Sequence, residues 1–275
     1  MGKLAIIAGG GRLPEILVDR CQAAGTSLFV AALKGQGDAS RFSGAELEVF
    51  RLGAVGAILK HLKSKEISDI VLAGSVRRPK AADLIPDFWT ARFLARTGAM
   101  ALGDDGLLKA ILSALEDEEG FRVLAPHELV PELLTPKGQV GGISVGEGDA
   151  ATLAAGIEGA KGLGQRDVGQ AVIVKDGRVI AEEGQEGTEA MIMGSGPEVS
   201  GGILVKAMKP GQEARVDLPA IGPDTVEQAR AAGLRGIAVE AGHSLILDRP
   251  EVIRRADHAG MFVFGFEAND GEGVR

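Results

Sequence analysis

Cysteine is nearly absent from this chain. Cys21 is the only one in 275 residues, so no intrachain disulfide and no cysteine-rich zinc cluster can form, and the chain fits a reducing compartment. Cys21 itself reads as a small core filler on a helix. Tyrosine is missing, there is one tryptophan, and aromatics make up 4% of the residues. The core must therefore be filled mainly by Ala, Val, Leu and Ile, and few stacking platforms remain. The four histidines, His61, His127, His243 and His258, show no i, i+4 pairing or neighbouring ligand pattern of a metal site. Only His127, after the last strand of the first half, is kept as a candidate substrate contact. Positive charge is short as well: 30 Lys and Arg against 38 Asp and Glu leave a net −8. That argues against general nucleic-acid binding, which relies on cations displacing counterions from phosphates, so an anionic partner needs a local basic patch. No apolar run approaches the roughly 18 residues that span a bilayer, and the start MGKLAIIAGGG is too short in apolar residues for a signal peptide. The expectation is a chain neither exported nor integral, in the cytoplasm, with peripheral contact at the inner membrane left open.

In the first half, strand-like and helix-like segments alternate. Apolar runs at 4–8, 27–33, 47–52, 69–73 and 121–125 are interleaved with helix-length segments at 14–24, 54–66, 86–97 and 106–119. Such alternation predicts a parallel sheet with helices on both faces. The stretch 127–149 has two prolines and five glycines and no sustained period, and reads as a connection between domains. After a helix at about 150–162, two apolar runs flank Asp176-Gly177, a pair suited to a tight hairpin turn. Strand-like runs at 203–207, 236–240, 244–247 and 261–266 and a helix at 223–232 complete a mixed second half. The expected fold is thus α/β: a Rossmann-like, parallel-sheet N-terminal domain over 1–126, a connection over 127–149, and a mixed α+β C-terminal domain over 150–275.

Three clusters carry candidate chemistry. The turn AGGGRLP follows the first strand, where backbone amides at a helix start can approach a phosphate. Gly9 and Gly11, on either side of Gly10, supply the first two glycines of the fingerprint, but the third position holds Pro14, next to Leu13, and no acid ends the second strand to bind a ribose. A nucleotide or other phosphate fits this turn better than NAD, and a purely structural turn is the plain alternative. Next comes AGSVRRPK, where Ser75, Arg77, Arg78 and Lys80 stand at the carboxyl edge of the sheet as a candidate diphosphate clamp or a solvated basic loop. Asp104 and Asp105 open a helix, as caps or as substrate contacts. The third cluster covers 182–192 and 206–225, in loop-like sequence. Lys206, Lys209 and Arg215 supply positive charge, and Glu186, Glu189, Glu213 and Asp217 supply carboxylates able to hold a hard cation. Phosphoryl transfer needs both kinds of group, although mixed charge runs also describe an ordinary solvated surface.

The motifs AGGGRLP at 8–14, AGSVRRP at 73–79, GDDGLL at 103–108, GQAVIVKDG at 169–177, EGTEAMI at 186–192 and KPGQEARVDLPAIGPDT at 209–225, in that order, resemble the LpxI family, the UDP-2,3-diacylglucosamine pyrophosphatases of lipid A biosynthesis. The resemblance implies Mg²⁺-dependent hydrolysis of UDP-2,3-diacylglucosamine to 2,3-diacylglucosamine 1-phosphate (lipid X) and UMP, with water directed at the sugar-side phosphorus. It also implies two domains closing around the substrate, a homodimer, and a lipid substrate met at the cytoplasmic membrane face. Carried over onto the match R-x-D-L-P at 215–219, it selects Asp217 as catalytic. Asp217 and Glu189 are the candidate metal ligands, and Gly10, Gly11, Leu13, Pro14, Ser75, Arg77, Arg78, Asp104, Asp105, His127, Gln170, Thr188, Glu189, Lys206, Lys209, Gln212 and Arg215 the candidate substrate contacts. Two positions depart from the pattern. Glu189 stands where the family carries Asp, and Met193-Gly194 where basic residues are expected. A nicotinamide-dependent oxidoreductase built on the first glycine turn, and a catalytically silent nucleotide-sugar or lipid-binding module, are the competing readings.

Overall fold

The computed structural model describes residues 3–77, 85–98 and 103–267, the side chain of Asp104 excepted. The chain divides into two compact α/β units: residues up to Pro131 together with Glu213–Val216, and Glu132–Gln212 together with the described residues from Asp217 onward.

The first unit holds a five-stranded sheet of β1 (Lys3–Ala8), β2 (Leu28–Leu33), β3 (Glu46–Phe50), β4 (Ile67–Ala73) and β5 (Arg122–Val123), in the order β3-β2-β1-β4-β5 and parallel throughout. Every residue of β2 is buried, as expected for a strand covered on both faces. Successive side chains alternate between faces. Ala5, Phe29, Ala31 and Ile70 pack with Ile58, Leu59 and Leu62 of α2 (Val55–Ser64) and with Leu112 of α4 (Asp104–Ser113). Leu4, Ile6 and Ala8 of β1 are also buried and must point to the opposite side. Leu17, Val18 and Cys21 of α1 (Leu13–Ala23) are buried, and Cys21 is the core filler its sequence suggested. α3 (Phe88–Thr97) starts at Asp87, whose side chain accepts from the Thr90 backbone N–H. A π-helical turn at Ala114–Glu118 continues α4.

The stretch 127–149 is more ordered than a bare connection. α5 (Pro126–Leu129) lies in the first unit, and β6 (Gly138–Gln139) pairs antiparallel with a strand of the second unit's sheet. That sheet has six strands: β6, β7 (Ala171–Lys175), β8 (Arg178–Glu182), β9 (Ile203–Lys206), β11 (Gly236–Glu240) and β13 (Phe262–Phe266), in the order β6-β13-β11-β9-β7-β8. β9, β11 and β13 run parallel; β7 is antiparallel to β9, and β8 returns antiparallel to β7. Asp176 and Gly177 both have positive φ, 49° and 73°, as the tight turn requires. One face is covered by α6 (Ala150–Gln165) through Leu153, Ile157 and Leu163. The other is covered by Ile192 of α7 (Gly187–Gly194), Val226 and Ala229 of α8 (Pro223–Ala231), and Val252 and Ala256 of α9 (Arg249–His258). A two-stranded parallel pair, β10 (Ala220–Ile221) with β12 (Leu245–Ile246), completes the unit. The segment 182–192, expected as loop, is therefore corrected in its second half: Gly187–Gly194 is helical, because Ile192 supplies a buried anchor on the sheet.

Candidate active site

In the first unit the strand order reverses between β1 and β4, and ligands of open parallel sheets bind beyond the carboxyl ends of the strands at such a point. The loops that follow these two strands are joined there: the Gly9 N–H donates to the Ala73 carbonyl, the Gly10 N–H to Ser75 O at 2.7 Å, and the Ser75 N–H back to Gly10 O at 3.0 Å. Glycine is required for this approach. A Cβ on Gly10 would stand 2.2 Å from Gln36 O, and one on Gly74, at φ +88°, 2.3 Å from Gly10 O. Pro14 sits in the first turn of α1, where a missing N–H costs nothing, and Leu13 begins that helix. Gln36, which the sequence did not single out, holds the third loop: its Oε1 accepts from the Arg77 N–H at 2.7 Å. Ser75 and Arg77 are exposed. Arg78 and Lys80 lie outside the described residues. Asp104 and Asp105 are the first two residues of α4, with Gly103 as N-cap. His127 sits in α5, and its Nδ1 is buried with no hydrogen-bond partner among the described residues.

Arg215 belongs to this first unit, with Glu213 and Val216, and Val216 packs on its core. The guanidinium donates to Glu116 Oε1 at 2.7 Å and to Glu213 Oε1 at 3.0 Å. These contacts, Glu213 foremost and against the opposing effect of burial, push its pKa further above the ordinary arginine value. Its charge is committed to two carboxylates.

The second unit gathers a different set at the carboxyl end of β9. Val205 faces α6, so Lys206, the next residue, projects to the opposite face, where α7 lies. Lys206 is 6% exposed. Its Nζ donates to Thr188 Oγ1 at 2.9 Å and to the Ala220 carbonyl at 3.2 Å. Burial pulls its pKa below the ordinary lysine range, and the charges of Glu183 and Asp217 oppose that pull. Gln212 is buried and bridges three groups. Its Nε2 donates to Asp217 Oδ2 at 2.6 Å and, more weakly, to Gln170 Oε1 at 3.4 Å, while its Oε1 accepts from the Lys209 N–H at 3.0 Å. Lys206, Thr188, Gln170, Gln212 and Asp217 are thus linked through hydrogen bonds or charge. The side chain of Lys209 turns to Asp167 at 3.1 Å and lines an open hollow of about 380 Å³ with Lys161, Met208, Glu240 and His243. Glu189 is exposed on α7.

Sequence reasoning passed over Glu183. It is 5% exposed, and its carboxylate accepts from Thr188 Oγ1 and from the Gln170 N–H. In the sequence it stands in the acid-rich run EEGQEG, which reads as solvated surface, and only its place at the end of a hairpin strand hinted otherwise.

Among the described residues no three His, Cys, Asp or Glu side chains converge as a protein-built metal cage. Magnesium does not require one, since it is commonly held by one or two carboxylates together with substrate phosphates and water. Asp217, half-buried and held through one oxygen by Gln212, suits that mode.

A parallel-sheet unit with an amide-rich switch-point loop, and a second unit with a buried lysine near an amide-anchored carboxylate, define an α/β enzyme equipped for an anionic substrate. The LpxI N-terminal domain family matches residues 3–133 and the LpxI C-terminal domain family residues 136–264. A curated relative, the UDP-2,3-diacylglucosamine pyrophosphatase LpxI of Caulobacter vibrioides, is 39% identical over 282 residues, covering 98% of this chain and 99% of that protein. The chain belongs to the LpxI family.

Proposed function

We propose that this enzyme hydrolyses the diphosphate of UDP-2,3-diacylglucosamine, with Mg²⁺, to 2,3-diacylglucosamine 1-phosphate and UMP. The observation that carries this reading is the placement of Asp217, anchored by Gln212 and near the buried Lys206; the named activity of the Caulobacter relative supports it. Hydrolysis forms a bond from water oxygen to the sugar-side phosphorus and breaks that phosphorus's bond to the bridging oxygen, which leaves with UMP. The reaction needs an attacking water in line, cationic groups against the phosphate oxygens and an acceptor for the water proton. Asp217 orients the water or accepts its proton, and the Lys206 ammonium offsets phosphate charge in a site where burial strengthens it. Asp217, with Glu189 as the second carboxylate, would hold the magnesium, which supplies polarisation of a phosphoryl oxygen.

Gln170, Thr188, Gln212 and Lys209 are the proposed substrate contacts in the second unit. In the first they are Gly10, Gly11, Leu13, Pro14, Ser75, Arg77, Arg78, Asp104, Asp105, His127 and Arg215. The lipid substrate implies work at the cytoplasmic face of the inner membrane by peripheral contact; no described helix is long and apolar enough to cross a membrane. We also propose a homodimer. The test is incubation with UDP-2,3-diacylglucosamine and Mg²⁺ in H₂¹⁸O. The expected outcome is UMP without label and lipid X carrying one ¹⁸O; label in UMP would move the attack to the other phosphorus, and no products would overturn the reading.

A further inference from the structure

Glu183 follows β8 directly and stands behind the proposed catalytic lysine. Its Oε2 accepts from the Gln170 N–H at 2.7 Å, its Oε1 accepts from Thr188 Oγ1 at 2.5 Å, and its own N–H donates to Ala171 O at 2.9 Å. Ala171 is the strand partner of Lys206 in the β7–β9 ladder, so the backbone that seats Glu183 also seats the lysine. A hydroxyl has one proton to give. With the Thr188 proton given to Glu183, a lone pair of Oγ1 is left for the Lys206 ammonium, 2.9 Å away. The chain of bonds therefore has one direction, from Lys206 through Thr188 to Glu183. An ionised carboxylate enforces that direction because it can only accept. The Gln170 N–H and the Thr188 hydroxyl meet different oxygens of the carboxylate, so an amide in its place would set an NH₂ donor against one of them.

We propose that Glu183 is a positioning residue that aims the Lys206 ammonium, through Thr188, at the substrate diphosphate. This rests on the hydrolase reading above and adds to it a carboxylate that touches neither substrate nor metal. Burial works against the lysine's charge, and Glu183 is the foremost of the two carboxylates that oppose this effect. Losing the aim removes stabilisation that grows as charge develops on the phosphate, so the defect falls on kcat more than on KM.

The experiment measures kcat, KM and melting temperature for the wild type, Glu183→Gln, Thr188→Val and Thr188→Ser, with UDP-2,3-diacylglucosamine and Mg²⁺. Glu183→Gln and Thr188→Val should each lose about tenfold or more in kcat with KM within roughly twofold, as for the loss of an outer-shell partner. Thr188→Ser keeps the hydroxyl and gives up the methyl, so it should recover most of what Thr188→Val loses. Packing alone would reverse that order, because valine preserves the shape. A Thr188→Ser as poor as Thr188→Val overturns the proposal, as does a folded Glu183→Gln with wild-type kcat. Should Glu183→Gln fail to fold, the two Thr188 variants still decide. A wild type that releases no UMP brings down the hydrolase reading and this proposal together, an outcome distinct from an active wild type with an active Glu183→Gln.

Discussion

Gln212 Nε2 donates to Asp217 Oδ2 at 2.6 Å, and the four residues between them, Glu213–Val216, belong to the other unit. The bond joins the two chain points at which the second unit is left and re-entered. Asp217 lies in irregular backbone, so this bond, rather than a helix or strand, sets its orientation. Gln212→Ala should therefore lower kcat roughly tenfold, the usual scale for removing a partner that orients a functional group, with a smaller effect on KM. Steady-state kinetics alongside a thermal melt would check this; an unchanged kcat in a folded variant would show that Asp217 is held by other means.

The close approach of the switch-point loops should leave no room for a side chain at Gly74. Gly74→Ala meets both a left-handed backbone and a carbonyl 2.3 Å from the new Cβ, and should cost about 2–6 kcal/mol, from strain of about 1–3 kcal/mol and overpacking of similar size. Gly120→Ala, with φ +76° but open space around it, should cost only about 1 kcal/mol. Urea unfolding of the two variants would compare them; equal losses would mean that the close approach at Gly74 carries no weight.

Trp89 is the sole tryptophan, and its Nε1 donates to Glu119 Oε1 at 2.6 Å while Lys63 Nζ approaches Glu119 Oε2 at 2.5 Å. The Lys63 bond foremost, and the Trp89 bond, hold the Glu119 pKa below its ordinary 4.5 against the opposing effect of burial. A carboxyl whose folded pKa is depressed binds fewer protons folded than unfolded between the two values, so it stabilises fully above pH 4.5 and loses that contribution as pH falls through the lowered pKa. Glu119→Gln should reduce stability by about 1 kcal/mol at neutral pH, and the gap to the wild type should close on acidification below pH 4.5. Trp89 fluorescence during denaturant unfolding is the readout; a gap independent of pH would remove the charge from the explanation.

Much of this architecture is legible in the sequence. The parallel first sheet followed from apolar runs alternating with helix-length segments, and the hairpin from Asp176-Gly177, because both signals are local. α7 was missed because its eight residues begin and end in glycine and bury only Ile192. β6 was missed because two residues carry no periodicity; it is recognised only by pairing with β13, over a hundred residues away. Site residues fared unevenly for the same reason. Asp217 was named from the family motif, Lys206 from its charge, and Gln212 and Thr188 as hydrogen-bonding neighbours; hydrogen bonds and charge link them in the structure. Arg215 came from the same motif, yet its segment folds with the first unit and its charge is matched by Glu116 and Glu213, which no local pattern encodes. Glu183 hid in an acidic run because burial is a tertiary property.

Magnesium should matter to turnover far more than to stability. With no three-ligand cage among the described residues, the ion alone has little to bind, and stabilisation follows ligand concentration over Kd. Millimolar Mg²⁺ without substrate should shift the melting temperature by less than about 1 °C, while chelation by EDTA should abolish product release. A large shift from Mg²⁺ alone would indicate a protein-built site and contradict the substrate-shared mode.

The most direct test of the account is Asp217→Ala, assayed for turnover of UDP-2,3-diacylglucosamine and, by calorimetry, for binding of the same substrate. The account predicts that release of UMP and lipid X falls by about a thousandfold or more, a loss expected of a residue that acts on the reacting water, while substrate binding stays within roughly tenfold of the wild type. A folded Asp217→Ala enzyme that turns over at the wild-type rate would contradict it.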